Sequence, residues 1–316
     1  MNNPKISIIM SVHNGEKYLD ESILSILNQT YRDFEFIIIN DCSTDNSLQI
    51  IGEYSKKDKR IVLISNKVNL GLTKSLNMGI KIAKGKYIAR IDADDIALPE
   101  RLKLQYGFLE RNRDIYLVGS GAYNIDKNGK IITIRKSLTD VGEIKKKLIN
   151  KNCLYHPTII FRNEGFMYRE KFVYTQDYDL YLRLLSSNKK ISNLSEPLIK
   201  YRINPDAISW TKKSKQKYFE LKANEFYHQR LKYGKDDYDK FDPNDIISID
   251  VENSTDEFVL KSEIEGNFKS NKFRDVRKFC VKYFKNYGFY NKVIIYYILS
   301  FTGENFVNLI RKVLFN

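Results

Sequence analysis

Three carboxylates, Asp92, Asp94 and Asp95, fall within four residues where the run Tyr87-Ile88-Ala89 ends. Carboxylates this close repel one another and raise each other's pKa unless a cation or hydrogen-bond donors stabilise the charged form. Hard divalent ions take oxygen ligands, and Mg²⁺ typically combines one or two carboxylates with substrate phosphates. The cluster therefore reads as a metal–phosphate site or as an acidic turn after a strand, and Arg90 beside it has no assigned role. Two further acids stand at comparable places. Asp41 follows the apolar run Phe34 to Ile39, and Asp177 follows Thr175-Gln176 at the start of a helical pattern.

The elements that must position these acids alternate regularly. Ile6-Ser7-Ile8-Ile9-Met10-Ser11-Val12 is nearly continuous in apolar residues, as expected of a strand buried on both faces of a parallel sheet. Leu19, Ile23, Ile26 and Leu27 then recur at helical spacing. A second strand (Phe34 to Ile39), a helix marked by Leu48, Ile51 and Tyr54, and a third strand (Ile61 to Ile64) follow. A helix through Leu72, Leu76, Ile80 and Ala83 precedes the fourth strand, which feeds Asp92. Such alternation predicts an α/β fold with a mostly parallel, doubly wound sheet flanked by helices. Ligands of open α/β sheets bind outside the carboxyl ends of the strands, where Ser11 to Asn14, Asp41 and Asp92 to Asp95 all lie.

Beyond Ile115 the alternation stops, so this half is expected to be mixed. It reads as a strand from Ile115 to Gly119, a hairpin signal at Asn128-Gly129, a helix from Val141 to Ile149 and a strand from Thr158 to Phe161. A helix carrying Leu180, Leu184 and Leu185 precedes a last strand from Pro197 to Arg202. A boundary near Ser209 separates a first domain, residues 1–209, from a mainly helical extension, residues 210–316. The extension opens with a polar helix from Lys212 to about Tyr233.

The composition, 42% hydrophobic and 29% charged over 316 residues, is that of a soluble globular chain with ample core. Cys42, Cys153 and Cys280 form no CxxC pair and no disulfide framework, which suits a reducing cytosol. The N-terminal residues lack the pattern of a secretory signal. The net charge of +14 is unevenly spread. Residues 1–205 carry 33 basic and 23 acidic side chains, residues 206–268 carry 10 and 14, and residues 269–316 carry 10 and 2. Nucleic-acid binding predicts a recognisable module on the basic face, and none is found. Zinc is not expected from three histidines without cysteine partners.

In order along the chain, Ser11-Val12-His13-Asn14-Gly15, Gln29-Thr30-Tyr31, Asn40-Asp41-Cys42-Ser43-Thr44-Asp45, Asn69-Leu70-Gly71, Asn77-Met78-Gly79, Gly85-Lys86-Tyr87-Ile88, Asp92-Ala93-Asp94-Asp95, Thr175-Gln176-Asp177-Tyr178-Asp179 and Tyr201-Arg202 resemble the family 2 glycosyltransferases, bacterial sugar transferases of the GT-A fold. Each motif alone is common, but the ordered series over roughly residues 5–205 is specific. The resemblance implies an inverting transfer of a sugar from a nucleotide-diphosphate sugar, with UDP favoured, to a hydroxyl of a glycan or lipid-linked acceptor in cell-surface polysaccharide synthesis. It assigns Mn²⁺ or Mg²⁺ to Asp92 and Asp94, with Asp94 the direct ligand. Asp92 is alternatively a ribose contact, and Asp95 orients the others. Ser11, Asn14, Asp41, Asn69, Asp92 and Arg202 are implied to hold the nucleotide sugar, Asp41 through its base.

Asp177 matches the family's catalytic base, with Asp179 as its rival. Gln176 stands where relatives carry an acid, and Asn204 where many carry histidine. By elementary chemistry Asp177 also suits a helix N-cap, and Arg202 suits a phosphate or an acidic surface residue equally. His156, beside Pro157, reads as a structural histidine. Residues 269–316 interleave basic and aromatic side chains around Val293 to Leu299, a run too short to span a bilayer. They read as a helical cap that packs on the first domain or on a second copy in a homo-oligomer, or as an interfacial anchor on an anionic membrane. The expected location is cytoplasmic and peripheral to the inner face of the plasma membrane. Two other functions compete: a nucleotidyltransferase, disfavoured by the single glycine after strand one, and a non-catalytic nucleotide-sugar-binding module.

Overall fold

Ile6–Val12 forms β1, and helices cover the sheet on both sides of it, which is why both its faces are apolar. The structure, a computed structural model, describes residues 3–203, 213–303 and 306–307. Asn204 and the expected boundary near Ser209 lie outside them. From β1 the chain runs through α1 (Glu16–Leu27), β2 (Phe34–Asn40), α2 (Ser47–Lys57), β3 (Ile61–Ser65), α3 (Leu72–Ile82) and β4 (Tyr87–Arg90). These four strands pair in parallel in the order β3-β2-β1-β4. α3 lies close against β1 because Gly79 has no side chain; a Cβ there would meet Ile9 Cγ2 at 2.7 Å. Val12 is in register with Asn40, so the loops after β1 and β2 leave the sheet side by side.

The second half comprises β5 (Ile96–Ala97), α4 (Arg101–Arg111), β6 (Ile115–Ile125), β7 (Ile131–Arg135), α5 (Val141–Asn150), β8 (Ile160–Arg162), α6 (Gln176–Ser186) and β9 (Lys190–Arg202). It extends the sheet to β3-β2-β1-β4-β8-β6-β9-β5, with β7 a hairpin on β6. This half is mixed, as its loss of alternation implied. β8 is antiparallel to both β4 and β6, whereas β6 and β9 run parallel. Three strand limits differ clearly from the expected ones, the first being β6, which runs on past Gly119 to Ile125 through its pairing with β7 and β9. β8 begins at Ile160, because His156–Thr158 coils into a 3₁₀ turn around Pro157, whose ring fixes φ and removes an N–H. β9 begins at Lys190, well before Pro197, because pairing along β6 holds this polar stretch extended.

The chain packs as two units. The first contains residues up to Ile203 together with Ala223–Phe241, and the second contains residues 213–222 and those after Phe241. α7 (Lys213–Tyr233) contributes to both. In the first unit, Ala223, Phe226 and Tyr227 are buried, and the Phe226 ring meets Phe172 at 6.1 Å. An ion cluster fixes the segment: Asp236 accepts from Arg169 at 2.6 Å and pairs with Arg230. Asp179, fully buried, accepts from Arg183 Nε at 3.0 Å and lies 3.7 Å from Arg169. Removing one partner of a buried pair leaves an uncompensated charge. Asp179→Ala is therefore expected to cost about 3 kcal/mol in urea unfolding; a midpoint unchanged from the parent would refute the structural role.

The second unit holds α8 (Asn244–Ile247), α9 (Glu257–Lys269), α10 (Phe273–Tyr287) and α11 (Asn291–Leu299). Leu260, Ile264, Val276, Phe279, Tyr283, Val293 and Tyr296 form its core. Asp256 caps α9, its side chain accepting from Val259 N at 2.9 Å. Among the described residues, no helix is long and apolar enough to cross a membrane.

Candidate active site

The loops at the carboxyl ends of β1 and β2 are tied together by short polar side chains. Asn14 adopts a left-handed backbone, φ 53°, and its Oδ1 accepts from Thr44 N at 2.8 Å. Its own N–H donates to Ser43 Oγ, and Gly15 N donates to Ser47 Oγ at 2.9 Å. Ser11 lies half-buried just before, at the end of β1. Asp41 is buried and accepts from Asn66 Nδ2 at 2.7 Å, Leu70 N at 2.8 Å and Gly71 N at 2.8 Å. Asn69, exposed in the same loop, accepts from Gly71 N at 3.0 Å. Gly71 takes a φ of 83°, which a side chain tolerates poorly. Asp41 thus shapes the β3–α3 loop. Three donors use three of its four lone-pair positions.

The acidic cluster follows β4. Carboxylate oxygens of Asp92, Asp94 and Asp95 lie within 4.8 Å of one another. Burial, then the charge of Asp92, pushes the Asp94 carboxyl up to about 6. Asp95 is fully buried and rises well above the usual carboxylate range, through burial first and then Asp92 and Asp94. One of its oxygens accepts from Arg202 N at 2.8 Å, and the other has no hydrogen-bond partner. Arg90, buried behind the cluster, grips both oxygens of Asp92, with Nη1 2.6 Å from Oδ2. Arg101 holds the Arg90 carbonyl from below at 2.7 Å. Arg90 is a site residue that the sequence left unassigned. Its signal, an arginine two residues before the first acid, acquires meaning only when the chain turns back on itself.

Arg202 is enclosed rather than outstretched. It donates to Glu21 Oε2 at 2.8 Å, to the Asp94 carbonyl at 2.9 Å and to the Asp126 carbonyl at 3.1 Å, and it covers the Tyr18 ring at 4.0 Å. Of its two expected partners, an acidic surface residue is supplied by Glu21.

Asp177 lies in the first turn of α6, after Thr175, whose φ of 54° is unusual for a β-branched residue. Part of its surface stays open, although it sits among dense protein atoms, and Asn152 Nδ2 donates to it at 2.8 Å. Burial raises its carboxyl above the ordinary range, while the Asn152 bond and the positive charge of Arg90 act in the opposite direction. Arg90 also acts on His156, which burial and that charge hold well below the usual imidazole range. His156 Nε2 is 2.7 Å from Tyr168 Oη, a part-buried side-chain pair. The charge of Arg90 thus reaches both the acids of the β4 turn and Asp177, 83 positions beyond Asp94. Asp179 turns instead into the arginine cluster described above.

Residues 7–175 match the family model described as Glycosyl transferase family 2. An uncharacterized glycosyltransferase of Methanocaldococcus jannaschii is 42% identical over 233 residues, 71% of this chain and 80% of that protein. The O-antigen biosynthesis glycosyltransferase WbnJ of Escherichia coli is 39% identical over 223 residues, 68% and 85% of the two chains. Among solved structures, S. aureus TarS in complex with UDP aligns with a TM-score of 0.57 at 18% identity, over 94% of this chain and 89% of that one. That likeness extends the shared fold through the helical region. With a family model spanning more than half of its length, the chain belongs to glycosyl transferase family 2.

Proposed function

We propose that this protein transfers a sugar, with inversion, from a UDP-sugar to a hydroxyl of a glycan or lipid-linked saccharide during polysaccharide synthesis. The observation that carries the reading is the cluster of three carboxylates after β4, one of them gripped by buried Arg90, with Asp177 near enough for the same positive charge to act on it. The donor class is supported by structural neighbours: TarS was solved with UDP and with UDP-GlcNAc. The acceptor class is supported by the names of relatives, which include O-antigen and amylovoran biosynthesis glycosyltransferases.

The donor set suits a hard divalent cation. Its three carboxylates are close enough to repel, two are shifted upward, and one buried oxygen lacks a donor. Asp92 and Asp94 would hold the ion, with Asp94 the direct ligand because Arg90 already occupies both oxygens of Asp92. When bound, such an ion supplies Lewis-acid neutralisation of the diphosphate charge. The chain's own residues do the rest. Asp41 and the loop it shapes hold the nucleotide, and Asn152 orients Asp177. Asp177 takes the acceptor proton as the acceptor oxygen bonds to the anomeric carbon. The bond from that carbon to the diphosphate breaks, and its electron pair leaves with the diphosphate. One displacement from the opposite face inverts the configuration.

A thermal-shift and hydrolysis screen of UDP-, GDP- and dTDP-sugars, with Mn²⁺ or with EDTA, tests this. A UDP-sugar is expected to raise Tm and to be turned over in Mn²⁺ alone. If no nucleotide sugar binds or turns over in either condition, the reading fails.

A further inference from the structure

α11 carries one charged residue in nine, in the sequence Asn291-Lys292-Val293-Ile294-Ile295-Tyr296-Tyr297-Ile298-Leu299. Val293 and Tyr296 face the core of the second unit, which accounts for one side of the helix. On the other side Ile295 is 50% and Ile298 57% exposed, and Phe301 just beyond is 62% exposed. Phe289, in the connection from α10, is 82% exposed. A groove of about 540 Å³ runs here, lined by Val281, Phe284, Lys285, Phe289, Ile294 and Tyr297. Single exposed apolar side chains are ordinary, but a contiguous apolar surface marks an interaction site.

Charge selects the partner. Between Phe273 and Phe301 there are six basic residues, Arg274, Arg277, Lys278, Lys282, Lys285 and Lys292, against one acid, Asp275. Glu252 engages Lys278 through its carboxylate and Lys282 through its carbonyl, and Arg277 binds the Ser300 carbonyl at 2.6 Å. The excess remains basic. A second copy would set this face against its own charge, and like charges across an interface oppose association. Anionic headgroups supply the opposite sign, and aromatic and aliphatic side chains flanked by lysine suit the acyl boundary beneath them. Nine residues of helix fall well short of the roughly 20 needed to cross a bilayer, so the helix would lie in the plane of the surface.

We propose that α10 and α11 dock this protein on an anionic lipid surface. Phe289, Ile295, Ile298 and Phe301 enter the acyl boundary, and Lys285 and Lys292 meet the headgroups. The contact is separate from donor chemistry, so its test needs no turnover.

The full chain is sedimented with phosphatidylcholine vesicles, with and without phosphatidylglycerol. Binding to the anionic vesicles alone is expected, weakening as salt is raised. Phe289→Ser/Ile298→Ser and Lys285→Glu/Lys292→Glu should each lower the partition constant about tenfold or more. Should the serine variant melt early, the lysine reversals, which touch only exposed side chains, decide the matter. Absent binding, or equal binding to neutral vesicles, overturns the proposal. So does a dimer in sedimentation velocity that Phe289→Ser/Ile298→Ser splits, which would give the face to a second copy. Unchanged partition with a lowered melting temperature would give it to the chain's own residues 308–316, and overturns it equally.

Discussion

Asp177→Asn is expected to lower kcat by ~10²–10⁴-fold, the usual contribution of a positioned general base, while donor affinity stays at the parent level. Asparagine fills the same volume in the first turn of α6 but cannot take a proton. Steady-state rates at saturating donor and calorimetric titration of the donor separate the two effects. An equal loss in both would move Asp177 from chemistry to binding. The same residue is expected to set the acid limb of the pH profile. Its carboxyl is raised by burial and must be ionised to work, so activity rises with pH through a value above that of a free aspartate. Gln176 beside it adds no charge that would raise it further. Asn152 favours the ionised form, so Asn152→Ala should move the limb upward, a shift visible in kcat/KM against pH.

The second large effect concerns Asp94. In the parent protein, Mn²⁺ is expected to raise Tm, and the increment should grow as pH rises through about 6, where Asp94 gives up the proton that competes with the metal. Without metal the dependence runs the other way. A carboxyl raised in the folded state stabilises the fold fully below its unfolded pKa, and that contribution is lost as pH rises through about 6. Asp94→Ala should abolish the Mn²⁺ increment, flatten the metal-free dependence and remove metal-dependent donor binding. Persistence of a full Mn²⁺ increment in the variant would place the ion elsewhere.

The parallel half of the sheet was readable because β1, β2 and β4 are mostly apolar and buried, and β3, although it lies at the sheet edge with Val62 exposed, still carries the apolar run Ile61 to Ile64. The start of β9 was not, since Lys190 to Glu196 is held extended by pairing with β6 rather than by its own hydrophobicity. Among the site residues, spacing revealed the acids of the β4 turn, because three carboxylates in four residues need an explanation. The partners that define them were out of reach. Arg202 meets Glu21 across 181 positions, and Asp41 meets the amides of Leu70 and Gly71, a backbone contact no side-chain pattern announces. Asp177 and Asp179 look equivalent in sequence. Only the neighbouring arginines, one of them on the segment after Ala223, divide them into an open acid and a locked one.

Thr175 carries a consequence for anyone altering this protein. A branched side chain in the left-handed region stores strain, and here that strain sits immediately before the residue pair that opens α6. Glycine at this position would relax the backbone and also loosen the turn that leads into Asp177. Laboratory selection for heat resistance and selection for turnover would pull this one position in opposite directions, so a hardened variant that had exchanged Thr175 would have gained its durability from its reactivity.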